Sequence, residues 1–188
     1  MPMAAAAFSI AQGFTIHGGQ QHSGPFRRVL EKLDHKYPNM RVIYLTRRDA
    51  FAQAVSYIRA IKTKRWGLYN FRHDEVKSKD IKAMDFRKDM PRMMEFAKRE
   101  FKARRKARRL LASHPSRTIF YEDMCENLIN TMWNTFRFLG VDPLPVQPET
   151  IKQATAPLRK MIVAYDETRK RFERRLNNEF GVKTLDTV

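Results

Sequence analysis

A chain of 188 residues is long enough for one domain with a real core. Its hydrophobic share of 43% and charged share of 30% fit a globular chain and exclude a disordered one, and no apolar run is long enough to cross a bilayer. Lys and Arg total 37 against 20 Asp and Glu, a net charge of +17 that attracts nucleotides, sulfated or phosphorylated acceptors, nucleic acid or anionic membranes without choosing among them.

Residues 1–12 are Ala-rich and lack the basic stretch and cleavage site of a secretory leader. They read as a flexible or truncated start. Gly13 to His17 has the pattern of a short strand, broken by Gly18 and Gly19 and then by Ser23 and Gly24. Pro25 suits the first turn of a helix, where its missing N–H costs nothing. Phe26, Val29, Leu30, Leu33 and Tyr37 continue it at helical spacing. Arg41 to Thr46 has a continuous apolar centre, the mark of a strand buried on both faces in a parallel sheet. A helix follows over Ala50 to Lys62, with Phe51, Ala54, Val55, Ile58 and Ile61 as its apolar positions. Residues 66–90 mix aromatics and charges without a period and read as an irregular insertion.

Pro91 opens a long basic helix to Ser113. Met93, Ala97, Phe101, Ala107 and Leu111 form its core stripe, and Lys98, Lys102, Arg105, Lys106 and Arg109 lie opposite. Arg104 and Arg108 fall within the apolar stripe, where each must snorkel or meet an anion. Ser116 to Tyr121 is a third strand. Asp123 and Glu126 have capping-box spacing for a helix carrying Leu128, Ile129, Met132, Phe136 and Leu139, which Gly140 stops. The lone cysteine, Cys125, reads as a small core or boundary residue, and without a second cysteine no internal disulfide forms. After a Pro-rich connector, Pro157 begins a last helix with Leu158, Met161, Ile162, Tyr165, Phe172 and Leu176 along one side, and 178–188 is a tail.

Alternating strands and helices predict a single α/β domain with a parallel sheet. Ligands of such sheets sit at the carboxyl ends of the strands, which directs attention to the residues after His17, Thr46 and Tyr121. After Thr46 come Arg47, Arg48 and Asp49, then a helix bearing Gln53 and Ser56. A helix N-terminus offers N–H donors and a positive dipole end, and an arginine beside it is a planar, multi-donor phosphate clamp. Ser56 lies about 9 Å along the axis from Ala50, within reach of the same phosphate as Arg48. On charge pattern alone these residues read rather as a solvated turn, with Ser56 bonding back to the carbonyl four residues earlier. His17 ends a strand, where a neutral imidazole takes a hydroxyl proton at physiological pH or simply makes a structural hydrogen bond. His22 and His35 have no metal-ligand spacing with Cys125, so no metal site is expected.

Arg48 and Asp49, then Gln53 to Ser56, then Lys62, Thr63 and Trp66 resemble the bacterial trehalose-type sulfotransferases within the sulfotransferase superfamily. Tyr121 to Met124 leading to Phe138 to Val141 resembles the family's second motif, and Lys152, Gln153, Pro157, Leu158 and Tyr165 to Glu167 its C-terminal region. The resemblance implies a P-loop-like α/β fold with helices on both faces of the sheet. It also implies 3′-phosphoadenosine 5′-phosphosulfate as sulfonate donor and a hydroxyl acceptor such as a carbohydrate or glycolipid; the residues themselves call for no metal, and the single cysteine asks for no oxidising compartment, so a cytoplasmic setting is expected. By the resemblance Arg48 and Ser56 bind the donor's 3′-phosphate, with Arg47 and Lys152 as further donor-binding residues. His17 is the candidate base by resemblance to the Lys-Thr-His triplet of cytosolic sulfotransferases, here Thr15-Ile16-His17, since the carboxylate base of the trehalose-type relatives does not occur in this sequence. The family's opening strand and Pro-Arg-Ser-Gly-type loop, which cradles the 5′-phosphosulfate, do not occur in this sequence. The expectation is a chain lacking its first strand, through truncation or loss. A non-catalytic nucleotide-binding remnant and a basic nucleic-acid-binding protein are the rival readings.

Overall fold

The computed structural model describes residues 24–63, 83–147 and 157–181. The expected Gly13–His17 strand, most of the 66–90 insertion, Lys152 and His17 lie outside them. In chain order the elements are α1 (Gly24–Lys36), β1 (Val42–Thr46), α2 (Ala50–Thr63), α3 (Met90–Leu110), β2 (Ser116–Phe120), α4 (Tyr121–Glu126), α5 (Leu128–Leu139), α6 (Leu158–Met161) and α7 (Tyr165–Phe180). β1 and β2 form a two-stranded parallel sheet, so the α/β class and the strand assignments of these two segments stand. The described residues fall into two compact units. One takes the chain up to Leu45 together with Ala107–Val146, the other Thr46–Lys106 together with the chain from Gln147.

In the first unit Leu30 of α1 and Leu111 are buried and pack with Met40, Val42, Ala107 and Leu110. His114, its side chain 3% exposed, ties the turn after α3 to α1 through Nε2, 2.7 Å from Asp34 Oδ1. β1 is not buried on both faces: Val42 and Tyr44 are half-covered, while Ile43 is 37% and Leu45 63% exposed. The apolar centre of this strand therefore alternates, because a strand's successive side chains point to opposite faces and only one face is packed here. Among the described residues Arg108 meets no carboxylate. Its Nη2 donates to Thr118 Oγ1 at 3.4 Å and its guanidinium lies 5.6 Å from the Tyr44 ring centroid.

Asp123 is not the cap the spacing suggested. It sits in the first turn of α4, which has no side-chain cap, and the chain breaks at Asn127. Asn127 caps α5 instead, its side chain accepting from the Asn130 N–H at 3.0 Å. An Asn at the break satisfies an orphan donor of the new helix and outcompetes continuation. α5 ends as expected at Gly140, whose φ of 73° is the left-handed conformation. Gly140 and Val141 donate back to Arg137 and Phe136 carbonyls at 3.2 and 3.1 Å. Ile129 departs from its expected core role at 76% exposed, lying beside the Leu128–Met132–Phe136 stripe rather than in it. Cys125 is likewise exposed rather than core, being near the open end of α4.

The second unit holds the larger core. Phe51, Ala54, Val55 and Ile58 of α2 pack with Phe86, Met90, Met93, Met94 and Ala97, and with Met161, Ile162, Phe172 and Leu176. Lys62 pairs with the mostly buried Asp89, and the Tyr57 and Phe96 rings stack 4.2 Å apart. The single helix expected from Pro157 is two. Ile162 leaves the helix to form a parallel bridge with Met84, with Met84 N–H donating to Met161 O at 2.9 Å and Val163 N–H to Met84 O at 3.0 Å. Ala164, at φ 50°, then turns the chain into α7. A long-range pairing outweighs the helical period of the sequence there.

Candidate functional site

Of the site residues expected from sequence, Arg47, Arg48 and Ser56 lie in the second unit, while His17 and Lys152 lie outside the described residues. β1 ends at Thr46, three residues cross the turn, and α2 begins at Ala50. Arg47 is half-buried in the turn and Arg48 exposed, while Ser56 is exposed on α2, two turns in from its start. Both predicted phosphate donors therefore face solvent on the strand–turn–helix unit at the strand's carboxyl end. Thr46 Oγ1, at the strand end itself, is buried with no hydrogen-bond partner among the described residues.

Asp49 has two functions the sequence reading did not give it. Its Oδ1 accepts the Ala52 N–H at 2.9 Å, so it caps α2. The Gln53 N–H donates to the Asp49 carbonyl at 3.0 Å. Part of the donor set at the helix start is thus already satisfied within the protein, which leaves side chains more than helix amides to meet a ligand here. Asp49 Oδ2 accepts from Arg169 Nη1 at 3.0 Å, a residue of α7 that lies 120 positions further along the chain.

Arg169 is held from three sides. Its Nη1 also donates to Tyr165 Oη at 2.8 Å, its Nε to Glu173 Oε1 at 2.7 Å, and its guanidinium lies 5.8 Å from the Phe51 ring centroid. Burial works against its charge, but the Tyr165 hydrogen bond and the Asp49 and Glu173 carboxylates prevail, and its pKa is raised. The spacing of Tyr165, Arg169 and Glu173 at four-residue steps along one helix face was readable in the sequence. That this face meets Asp49 was not.

Arg104, which the sequence placed in the apolar stripe of α3, is half-buried and donates from Nη2 to Gln53 Oε1 at 3.0 Å. Gln53 and Ser56 are three residues apart on α2 and are neighbours on its surface. A second guanidinium therefore reaches the α2 face that carries Ser56. Glu122 and Asp123 stay on α4 in the other unit, and nothing in the geometry makes either an acid or a base. Among the described residues no group of His, Cys, Asp and Glu is arranged to hold a metal, and no helix is long and apolar enough to cross a membrane.

Comparison with known proteins identifies a family. The family model for Stf0 sulphotransferase matches residues 27–168, three quarters of the chain and the whole stretch from α1 through Arg48 and Ser56 to the first turn of α7. No curated protein and no solved structure matches.

Proposed function

We propose, from the premise that this chain belongs to the Stf0 sulphotransferase family, that it binds the adenosine 3′-phosphate end of a phosphosulfate donor at the β1–α2 turn. The observation that carries the proposal is the exposed pair Arg48 and Ser56, eight residues apart across a strand–turn–helix unit inside the matched segment. An arginine fork and a hydroxyl suit a phosphate as donors that charge assists. Arg104, held by Gln53, adds positive potential on the same helix face. Arg47 and Lys152 are the further donor-binding candidates of this reading.

In the reaction we infer, an acceptor hydroxyl oxygen bonds to sulfur as the bond from sulfur to the bridging phosphate oxygen breaks. The electron pair stays on that oxygen, adenosine 3′,5′-bisphosphate departs, and the hydroxyl proton passes to a base. His17 is the candidate base, since an imidazole accepts a proton near neutral pH. The acceptor class proposed is a carbohydrate or glycolipid hydroxyl, and a single cysteine suits a reducing, cytoplasmic setting.

Arg48 and Ser56 stand at the end of the nucleotide away from sulfur, so they supply affinity more than transition-state stabilisation. No Pro-Arg-Ser-Gly-type loop occurs among the 188 residues to act on the reacting end. One missing donor at a developing oxyanion commonly costs about 10²–10³ in rate. The 188-residue chain alone therefore binds the bisphosphate without robust turnover, which a labelled-donor assay over sugar and lipid acceptors checks.

The direct test is calorimetric binding of adenosine 3′,5′-bisphosphate and adenosine 5′-monophosphate. Arg48→Ala is expected to weaken the bisphosphate by about 1.5–3 kcal/mol, the range for hydrogen bonds to charged groups, and the monophosphate hardly at all. Equal losses for both ligands would show that Arg48 does not read the 3′-phosphate.

A further inference from the structure

The β1–α2 turn contains a conflict. Arg47 and Arg48 attract an anion, but the next residue is an aspartate at the start of the same helix. An anion held by Arg48 approaches the Asp49 carboxylate, and like charges at this range repel. Asp49 cannot simply be dispensed with, since its Oδ1 caps α2 through the Ala52 N–H. The structure resolves the conflict from α7. Arg169 Nη1 binds the other oxygen, Asp49 Oδ2, at 3.0 Å. Tyr165 and Glu173, one turn to either side on α7, fix the guanidinium in place, and the buried Phe51 ring lies against it. The pair is partly shielded, with side chains 35% and 30% exposed.

We infer that Arg169 is a positioning residue for the anion site: it holds Asp49 in its capping geometry and offsets its charge, so that the turn presents positive potential to the ligand's phosphate. The inference rests on the reading of Arg48 and Ser56 as the phosphate site. It makes α7, through a side chain that need not touch the ligand, part of what sets nucleotide affinity. It also assigns a reason for Arg169 and Glu173, which core packing does not need, because α7 buries Thr168, Phe172 and Leu176 and packs Tyr165 against the core at Phe51.

The test is a double-mutant cycle on the full chain, with adenosine 3′,5′-bisphosphate as probe at low and moderate salt. Arg169→Met is expected to weaken binding about 3- to 5-fold, the weight of one partly exposed charge pair. The loss should shrink as salt rises. Adding Asp49→Asn, which keeps a capping side chain and removes the charge, should restore affinity to within about 2-fold of the parent. The gain from Asp49→Asn should be larger in the Arg169→Met background than in the parent. Arg169→Lys keeps the charge and should fall between parent and Met variant. It also serves as the second probe if Arg169→Met unfolds, as a urea midpoint would reveal. A loss in Arg169→Met that Asp49→Asn does not restore would show ordinary structural damage and overturn the inference. So would unchanged affinity in Arg169→Met while Arg48→Ala abolishes binding, and that result leaves the phosphate site standing. A parent chain that does not bind the bisphosphate would overturn the reading of Arg48 and Ser56, and the inference with it.

Discussion

Phe172 offers a stringent test of how the candidate site is supported. It is 0% exposed on α7, and its ring meets that of Phe51 at 5.5 Å between centroids and 60° between planes. Phe51 belongs to the first turn of α2, two residues after the Asp49 cap. Phe172→Ala removes a whole ring from a packed interior. Lost transfer energy and the residual cavity together cost about 3–5 kcal/mol in such sites. The edge contact with Phe51 falls within that figure, since tilted aromatic pairs are worth about 0.5–1.5 kcal/mol. For a chain of this size each kcal/mol moves the melting temperature by roughly 2–4 °C, so a drop of about 6–20 °C is expected. Ile129→Ala is the matched control: at 76% exposed it should change stability by less than about 0.5 kcal/mol. Urea unfolding followed by tryptophan fluorescence and circular dichroism measures both variants. Arg48→Ala completes the comparison, because it should lose bisphosphate affinity without losing stability, whereas Phe172→Ala should do the reverse below its transition. A loss under about 1.5 kcal/mol for Phe172→Ala, or one equal to that of Ile129→Ala, would refute the packing of α7 against α2.

Two further outcomes follow from single groups. Thr168 is 1% exposed, and its hydroxyl has no hydrogen-bond partner among the described residues. Thr168→Val should therefore raise stability by about 1 kcal/mol, since it replaces an unpaired buried hydroxyl with a methyl of similar shape; a lower urea midpoint would show that the hydroxyl is bonded in solution. Burial raises the pKa of Tyr44, against a smaller lowering by Arg108. A group that holds its proton more tightly when folded favours the fold below its ordinary pKa of 10.0 and loses that contribution as pH rises through the raised value. Stability should thus fall above about pH 10, and less steeply in Tyr44→Phe. An ultraviolet titration in which all tyrosines ionise together would refute this.

What was legible in the sequence is what short-range chemistry decides. β1 could be read from the apolar run of Val42 to Leu45, α2 from its apolar period, and the end of α5 from a glycine that alone takes a left-handed φ without strain. The family was legible for a related reason: Arg48 and Ser56 keep a fixed separation because a turn and two helical turns hold it. The misreadings have a common cause. The helix expected through Ile162 breaks because Met84, 78 residues away, offers a strand partner. Asp123 does not cap because the chain is already helical from Tyr121, and the helix that follows is capped by Asn127 at the Asn130 N–H. Ile43 and Leu45 were assigned to a buried face on hydrophobicity alone, which names a residue's preference and not its neighbours. The same limit hid the most informative feature of the site. Asp49 reads in sequence as one member of a charged turn, and nothing in the sequence singles out Arg169. Only their approach to 3.0 Å distinguishes them from solvated charges. Once paired, they change what the turn can do: an aspartate that would oppose an anion becomes a cap whose charge is met from behind, and in our proposal the affinity of the Arg48 turn depends on a helix over a hundred residues downstream.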